Sequence, residues 1–228
     1  MQASTLPTVS SNDNFAYGTN ASELGSAFFP LILAPNGLIE ENWSLTEIDP
    51  TPKDPWDAGC VPCYEPVFSK ADPANHLAVL LWPMASGASR EAGYGGSFQL
   101  ASYTVNNKTG GIASTNTWQN MPIPRNAIVN NMNMSPSGKL LALCGTQGLE
   151  LFHFNGAAPI TTYGGVLLPA INIDQLGWDN NNHLYALSYA SQKLFVYTVT
   201  PTSITSVAGS PYSVPTAYGV TGMIVVPK

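Results

Sequence analysis

Apolar residues in this chain come in short runs, each cut off by Asn, Asp, Gly, Pro or Ser. The helical pattern of apolar positions at i, i+3, i+4 and i+7 is nowhere sustained. The clearest stretch is residues 171–211, which reads as four strands in a row: INIDQLGW, HLYALSY, KLFVYTV and SITSV. The second strand of that paragraph recurs three times upstream, in SSNDNFAYGT (residues 10–19), ADPANHLAVLL (71–81) and SPSGKLLALCG (135–145). Each copy opens on a turn that carries Asn, Asp, Pro or Gly and continues as an apolar run, so both faces of this strand are expected to be covered.

The other strands recur in step. Third strands are FFPLILAP, SFQLASYTV, LELFHFN and KLFVYTV, with Tyr103, Phe152 and Tyr197 on one face and Val105, Phe154 and Val199 two residues on. Fourth strands are SLTEI from Ser44, GIAST from Gly111, PITTY from Pro159 and SITSV from Ser203, small and polar as outer edges must be. First strands are CYEPVFSK, AIVNNMNMS, INIDQLGW and, near residue 228, GVTGMIVVP. Equivalent turn positions Asn14, His76, Lys139 and His183 lie 62, 63 and 44 residues apart. Four-stranded units at such spacing predict an all-β chain, a β-propeller of four-stranded antiparallel blades. We read residues 1–228 as one propeller domain, with blades at approximately 6–60, 61–120, 121–170 and 171–228. The strand at 219–227 has no following partner and could complete the first blade.

Composition supports this reading. Charged residues make up 10% of the chain against about 25% in ordinary proteins, while Gly and Pro number 20 and 19. The net charge of −6 is spread without clusters, which disfavours nucleic acid and anionic membranes, since both are bound by grouped Lys and Arg. No apolar run is long enough to span a bilayer, and no signal peptide is visible. Cys60-Val-Pro-Cys63 lacks the helix and the second pair that redox and zinc sites need. It reads as a loop disulfide or two thiols, with Cys144 as a buried filler.

Inner strands of a propeller line its channel, so their polar residues are the candidates for chemistry: Glu65, Asn130, Asn131, Asn133, Asp174, Gln175 and Thr221, with Arg125 in the loop before one of them. An Arg beside a carboxylate could hold an anionic substrate while the carboxylate or a water performs acid–base work. The competing reading is that these groups satisfy one another and a column of water. His76 and His183 share one repeat position and read as turn residues, His153 as a core histidine, and the three form no metal set. No G-x-S-x-G elbow or phosphate loop occurs, and neither a metal nor a cofactor is expected. Four Asn-x-Ser/Thr matches, at Asn20, Asn42, Asn107 and Asn133, are no more than an Asn- and Ser-rich chain produces by chance.

The FAYGT- and LYALS-type second strands, the VYTV-type third strand, and VAGSPY before GMIVVPK resemble the seven-bladed β-propeller lactonase family, related to 6-phosphogluconolactonase. The resemblance covers most of the chain and is clearest over residues 128–228. It implies that these four blades are the C-terminal part of a seven-bladed propeller, the alternative being a compact four-bladed ring. It further implies hydrolysis of a sugar-type lactone at the channel mouth, with Glu65, Arg125 and Asp174 catalytic and Asn131, Asn133 and Gln175 binding the ligand. The alternative is a non-catalytic scaffold propeller of an exported, extracytoplasmic protein that recognises a glycan or protein partner.

Overall fold

The computed structural model describes residues 8–9, 15–22, 25–33, 39–41, 64–83, 97–117, 119–164, 167–215 and 222–226. Among them it contains strands and turns and no helix. Among the described residues four sheets form, each built by strands consecutive in the chain. The first is β1 (Thr8–Val9), β2 (Phe15–Ser22), β3 (Gly25–Leu33) and β4 (Ile39–Glu41). The second is β5 (Tyr64–Ala71), β6 (His76–Pro83), β7 (Gln99–Val105) and β8 (Ile112–Ala113). The third is β9 (Val129–Met134), β10 (Leu140–Gly145), β11 (Gly148–Asn155) and β12 (Ala158–Thr162). The fourth is β13 (Gln175–Trp178), β14 (His183–Ser188), β15 (Lys193–Val199) and β16 (Ile204–Ser206), with β17 (Tyr212–Ser213) also on β15. All pairings are antiparallel, so the predicted all-β architecture of four-stranded antiparallel sheets holds.

The turn before the second strand shows why the repeat is legible. Asp72 and Asp179 each use one carboxylate oxygen to accept the backbone N–H of the residue that starts the strand, His76 at 2.7 Å and His183 at 2.9 Å. The other oxygen meets the same histidine's Nδ1, at 3.0 and 2.8 Å. In the third sheet Ser135 does this work with its hydroxyl, accepting from Leu140 N at 3.0 Å. Each turn passes through one left-handed residue, Asn75 (φ 64°), Gly138 (φ 67°) or Asn182 (φ 60°), the residue types that adopt this conformation most readily.

Burial follows the predicted pattern. All six residues of β10 are buried, as a strand covered on both faces requires. Tyr103, Phe152, Phe154 and Val199 of the third strands are buried as well, and Cys144 is fully enclosed. Two differences from the sequence reading concern strand ends. The fourth strand of the first sheet is Ile39–Glu41, whereas the SLTEI segment from Ser44 lies outside the described residues. Residues 222–226 of the predicted final strand pair with no strand among the described residues. They lie instead against Gly177 of β13, where an added Cβ would collide with Val225 and approach Met223, while Ile224 and Val226 are exposed.

By compactness the chain divides into two units, Met1–Ile123 with Phe154–Thr161, and Pro124–His153 with Thr162–Lys228. In the first, Phe15, Tyr17, Leu77, Val79, Leu81 and Tyr103 form the centre of a core cluster. In the second, Leu140, Ala142, Leu176, Trp178, Leu184 and Ala186 do the same.

Candidate functional site

The second unit brings together most of the polar residues singled out from the sequence: Asn130, Asn131 and Asn133 on β9, Gln175 on β13 and Asp174 just before β13. Opposite β10 the register of β9 slips between Cys144 and Gly145, whose partners are Asn131 and Val129, so Asn130 stands out of the ladder as a bulge. Freed from pairing, its Nδ2 donates to Asn172 Oδ1 at 2.9 Å and to the carbonyl of Ile173 at 2.8 Å. Asn172 donates in turn to Asp174 Oδ1 at 2.7 Å, and Asp174 Oδ2 accepts the N–H of Tyr189 at 2.7 Å. Further along, Asn131 Nδ2 reaches Gln175 Oε1 at 3.5 Å and Asn133 Nδ2 reaches the carbonyl of Leu176 at 3.4 Å. The result is a half-buried strip of carboxamides with one carboxylate at its end.

Arg125 finds a different carboxylate from the ones expected. Its backbone N–H donates to Glu150 Oε2 at 2.8 Å, and its Nε lies 3.9 Å from Glu150 Oε1. The guanidinium side chain is 58% exposed while that of Glu150 is 14% exposed, so the pair presents a cation to solvent above a sheltered acid. Burial pushes the pKa of Glu150 up, and the Arg125 N–H and charge offset only part of that rise. Glu65 occupies β5 in the first unit, opposite Trp82, and its side chain lies outside the described residues, as does Thr221.

Three residues of this region escaped the sequence reading. Glu150 is the lone carboxylate of LELFHFN, and that was the available signal. Asn172 lies within INIDQLGW and alternates with Ile171 and Ile173 as a strand residue would, but β13 begins only at Gln175, so Asn172 belongs to the segment before the strand. Tyr189 ends the apolar run HLYALSY, and its hydroxyl is buried with no hydrogen-bond partner among the described residues. His153, read from the sequence as a core histidine, is half-buried, its ring 5.0 Å from that of Tyr163. Among the described residues no group of three or more His, Cys, Asp or Glu is placed to hold a metal, and no helix is long and apolar enough to cross a membrane.

No family model matches the chain, and no curated protein matches it significantly. Solved structures do resemble it. A candidate 6-phosphogluconolactonase from Bacteroides fragilis superposes with a TM-score of 0.58 at 11% identity, over 94% of this chain and 58% of that one. A second, from Bacteroides uniformis, gives 0.59 at 13% identity, over 92% of this chain and 57% of that one. The β-propeller domain of Cps50 (Swd1) from Myceliophteria thermophila gives 0.54 at 9% identity, over 89% and 59%. These likenesses define the class as β-propeller, and the chain spans less than two thirds of the length of each of these three proteins.

Proposed function

We propose that the chain is a lactonase-type propeller that hydrolyses a sugar-type lactone, and that its blades form part of a seven-bladed ring. The observation that carries this reading is the Arg125–Glu150 pair in the same unit as the Asn130–Asn172–Asp174 chain. An exposed guanidinium suits the anionic substituent of a phosphorylated or carboxylated sugar. A sheltered carboxylate with raised proton affinity suits acid–base work near neutral pH. In that role Glu150 takes a proton from water, the resulting hydroxide adds to the lactone carbonyl, and collapse of the tetrahedral adduct breaks the ring C–O bond, the proton going to the departing oxygen. Asn131, Asn133 and Gln175 offer amide donors and acceptors to sugar hydroxyls. Asp174, both oxygens occupied, orients the strip; Glu65 remains a candidate by its inner-strand position.

Support for the lactone comes from the two Bacteroides structures, each a candidate 6-phosphogluconolactonase, and from this pair. The test is hydrolysis of phosphorylated and neutral sugar lactones by the whole chain and by Arg125→Ala and Glu150→Gln. We expect kcat/KM for the phosphorylated lactone to fall at least about tenfold in each, with the neutral lactone spared by Arg125→Ala. No hydrolysis above the spontaneous rate by the unaltered chain would overturn the assignment. One observation favours a second reading, a binding propeller: the carboxamides and Asp174 already satisfy one another.

A further inference from the structure

We propose that Asn107 is an N-glycosylation site, accepting an oligosaccharide from a polyprenyl pyrophosphate donor. Four segments of the chain carry the acceptor pattern: Asn20-Ala-Ser22, Asn42-Trp-Ser44, Asn107-Lys-Thr109 and Asn133-Met-Ser135. The sequence alone ranks them equally. The structure separates the last two, whose side chains are both described.

Asn107 lies at the tip of the hairpin between β7 and β8. That hairpin is closed by the Asn106 N–H on the carbonyl of Gly111 and by the Gly110 N–H on the carbonyl of Asn106, both at 2.8 Å. Asn106 braces the turn from within, its Oδ1 accepting Lys108 N at 2.9 Å and Thr109 N at 3.2 Å. Residues 106–109 are all exposed, so the acceptor and its threonine stand together on a firm, solvent-facing turn. Asn107 Oδ1 accepts from Asn75 Nδ2 at 3.1 Å. A glycan attaches through Nδ2, so the bond that Oδ1 accepts from Asn75 is retained. In the transfer, Nδ2 forms a bond to the anomeric carbon, the anomeric carbon–oxygen bond to pyrophosphate breaks, the lipid pyrophosphate departs with the electron pair, and one amide proton is lost to a base of the transferase.

At Asn133 the same chemistry would oppose the fold. Its Nδ2 donates to Leu176 O, its backbone carbonyl accepts Trp178 Nε1 at 3.4 Å, and Ser135 is only 2% exposed, whereas Thr109, whose hydroxyl accepts Gly111 N at 3.2 Å, is exposed. A sugar there would part β9 from β13. At Asn107 it would instead stand beside β8, a two-residue outer edge strand, and supply bulk and hydration to a surface with few charges.

The experiment is translation of the whole chain behind a secretory leader with microsomal membranes, which needs no folded product, followed by secretion from a eukaryotic host and site mapping by mass spectrometry. We expect a glycosidase-sensitive mobility shift that persists when Asn20, Asn42 and Asn133 are changed to Gln. Adding Asn107→Gln should abolish it, and Thr109→Ser should retain it. Secreted, soluble material should carry sugar at Asn107 and none at Asn133. An unmodified Asn107 in microsomes, or folded secreted protein glycosylated at Asn133 and bare at Asn107, would overturn the proposal.

Discussion

At the scale of single residues, buried polar groups that complete backbone hydrogen bonding matter more than the exposed ones. Asn116 is fully buried and its Oδ1 accepts the Ser102 N–H at 2.8 Å, while Ser102 Oγ donates to the carbonyl of Ala158 at 2.8 Å. Asn116→Ala strands that N–H away from water, and urea titration is expected to show a loss of about 1–3 kcal/mol. Buried tyrosines set an alkaline limit. Burial raises the pKa of Tyr17 and of Tyr197 from 10.0 to about 12. Because the folded value lies above the unfolded one, the stabilisation is complete below pH 10 and disappears as pH climbs toward 12. Thermal melts between those limits should fall steeply for the natural chain and less steeply for Tyr197→Phe. At Asp179 the signs run the other way. Burial tends to raise its pKa, but hydrogen bonds from His183, Asn181 and Tyr185 outweigh it and hold the carboxyl below its ordinary value. Its contribution is therefore present above the ordinary carboxylate pKa and lost on acidification through the lowered one. Asp179→Asn should flatten the acid limb of a melting-temperature profile.

At the scale of elements, the sequence reveals what recurs and hides what occurs once. Second strands were legible because an Asp or Ser cap and a left-handed Asn or Gly precede the strand in each of the three copies whose turn is described. The carboxamides of the first strands stood out for a similar reason: Asn131 and Asn133 alternate with Met132 and Met134 at the period of a strand. The bulge at Asn130 did not, since a register slip leaves no trace in composition, and the bulge is what aims that side chain at Asn172. The partner of Arg125 was missed because the pairing joins a loop to a third strand 25 residues away, a separation no local pattern encodes. Residues 222–226 were expected as a strand from their apolar alternation. Alternation is honoured, with Ile224 and Val226 outward, yet no ladder forms among the described residues, and contact with Gly177 takes its place. Gly177→Ala would force a methyl into Val225, and we expect a loss of about 1–3 kcal/mol in denaturant titration, the usual penalty of overpacking.

At the scale of the molecule, a chain this poor in charge depends on how its apolar surface is distributed. Ile224 and Val226 are 89% and 76% exposed, so replacing both with Thr should change stability by less than about 0.5 kcal/mol while reducing self-association in light scattering. If the blades complete a larger ring, the same double substitution in the larger protein should be costly, which makes the pair a test of that reading as well. Cys144 adds a different opportunity. Its sulfur is sealed inside β10, and burial first, then the negative charge of Asp174, keeps it a protonated thiol. A thiol in that state is silent to maleimides until the third sheet opens. Labelling at Cys144, resolved by peptide mass from Cys60 and Cys63, would therefore act as a clock set inside the sheet. Its rate in native buffer would time the spontaneous opening of that sheet without a chemical denaturant.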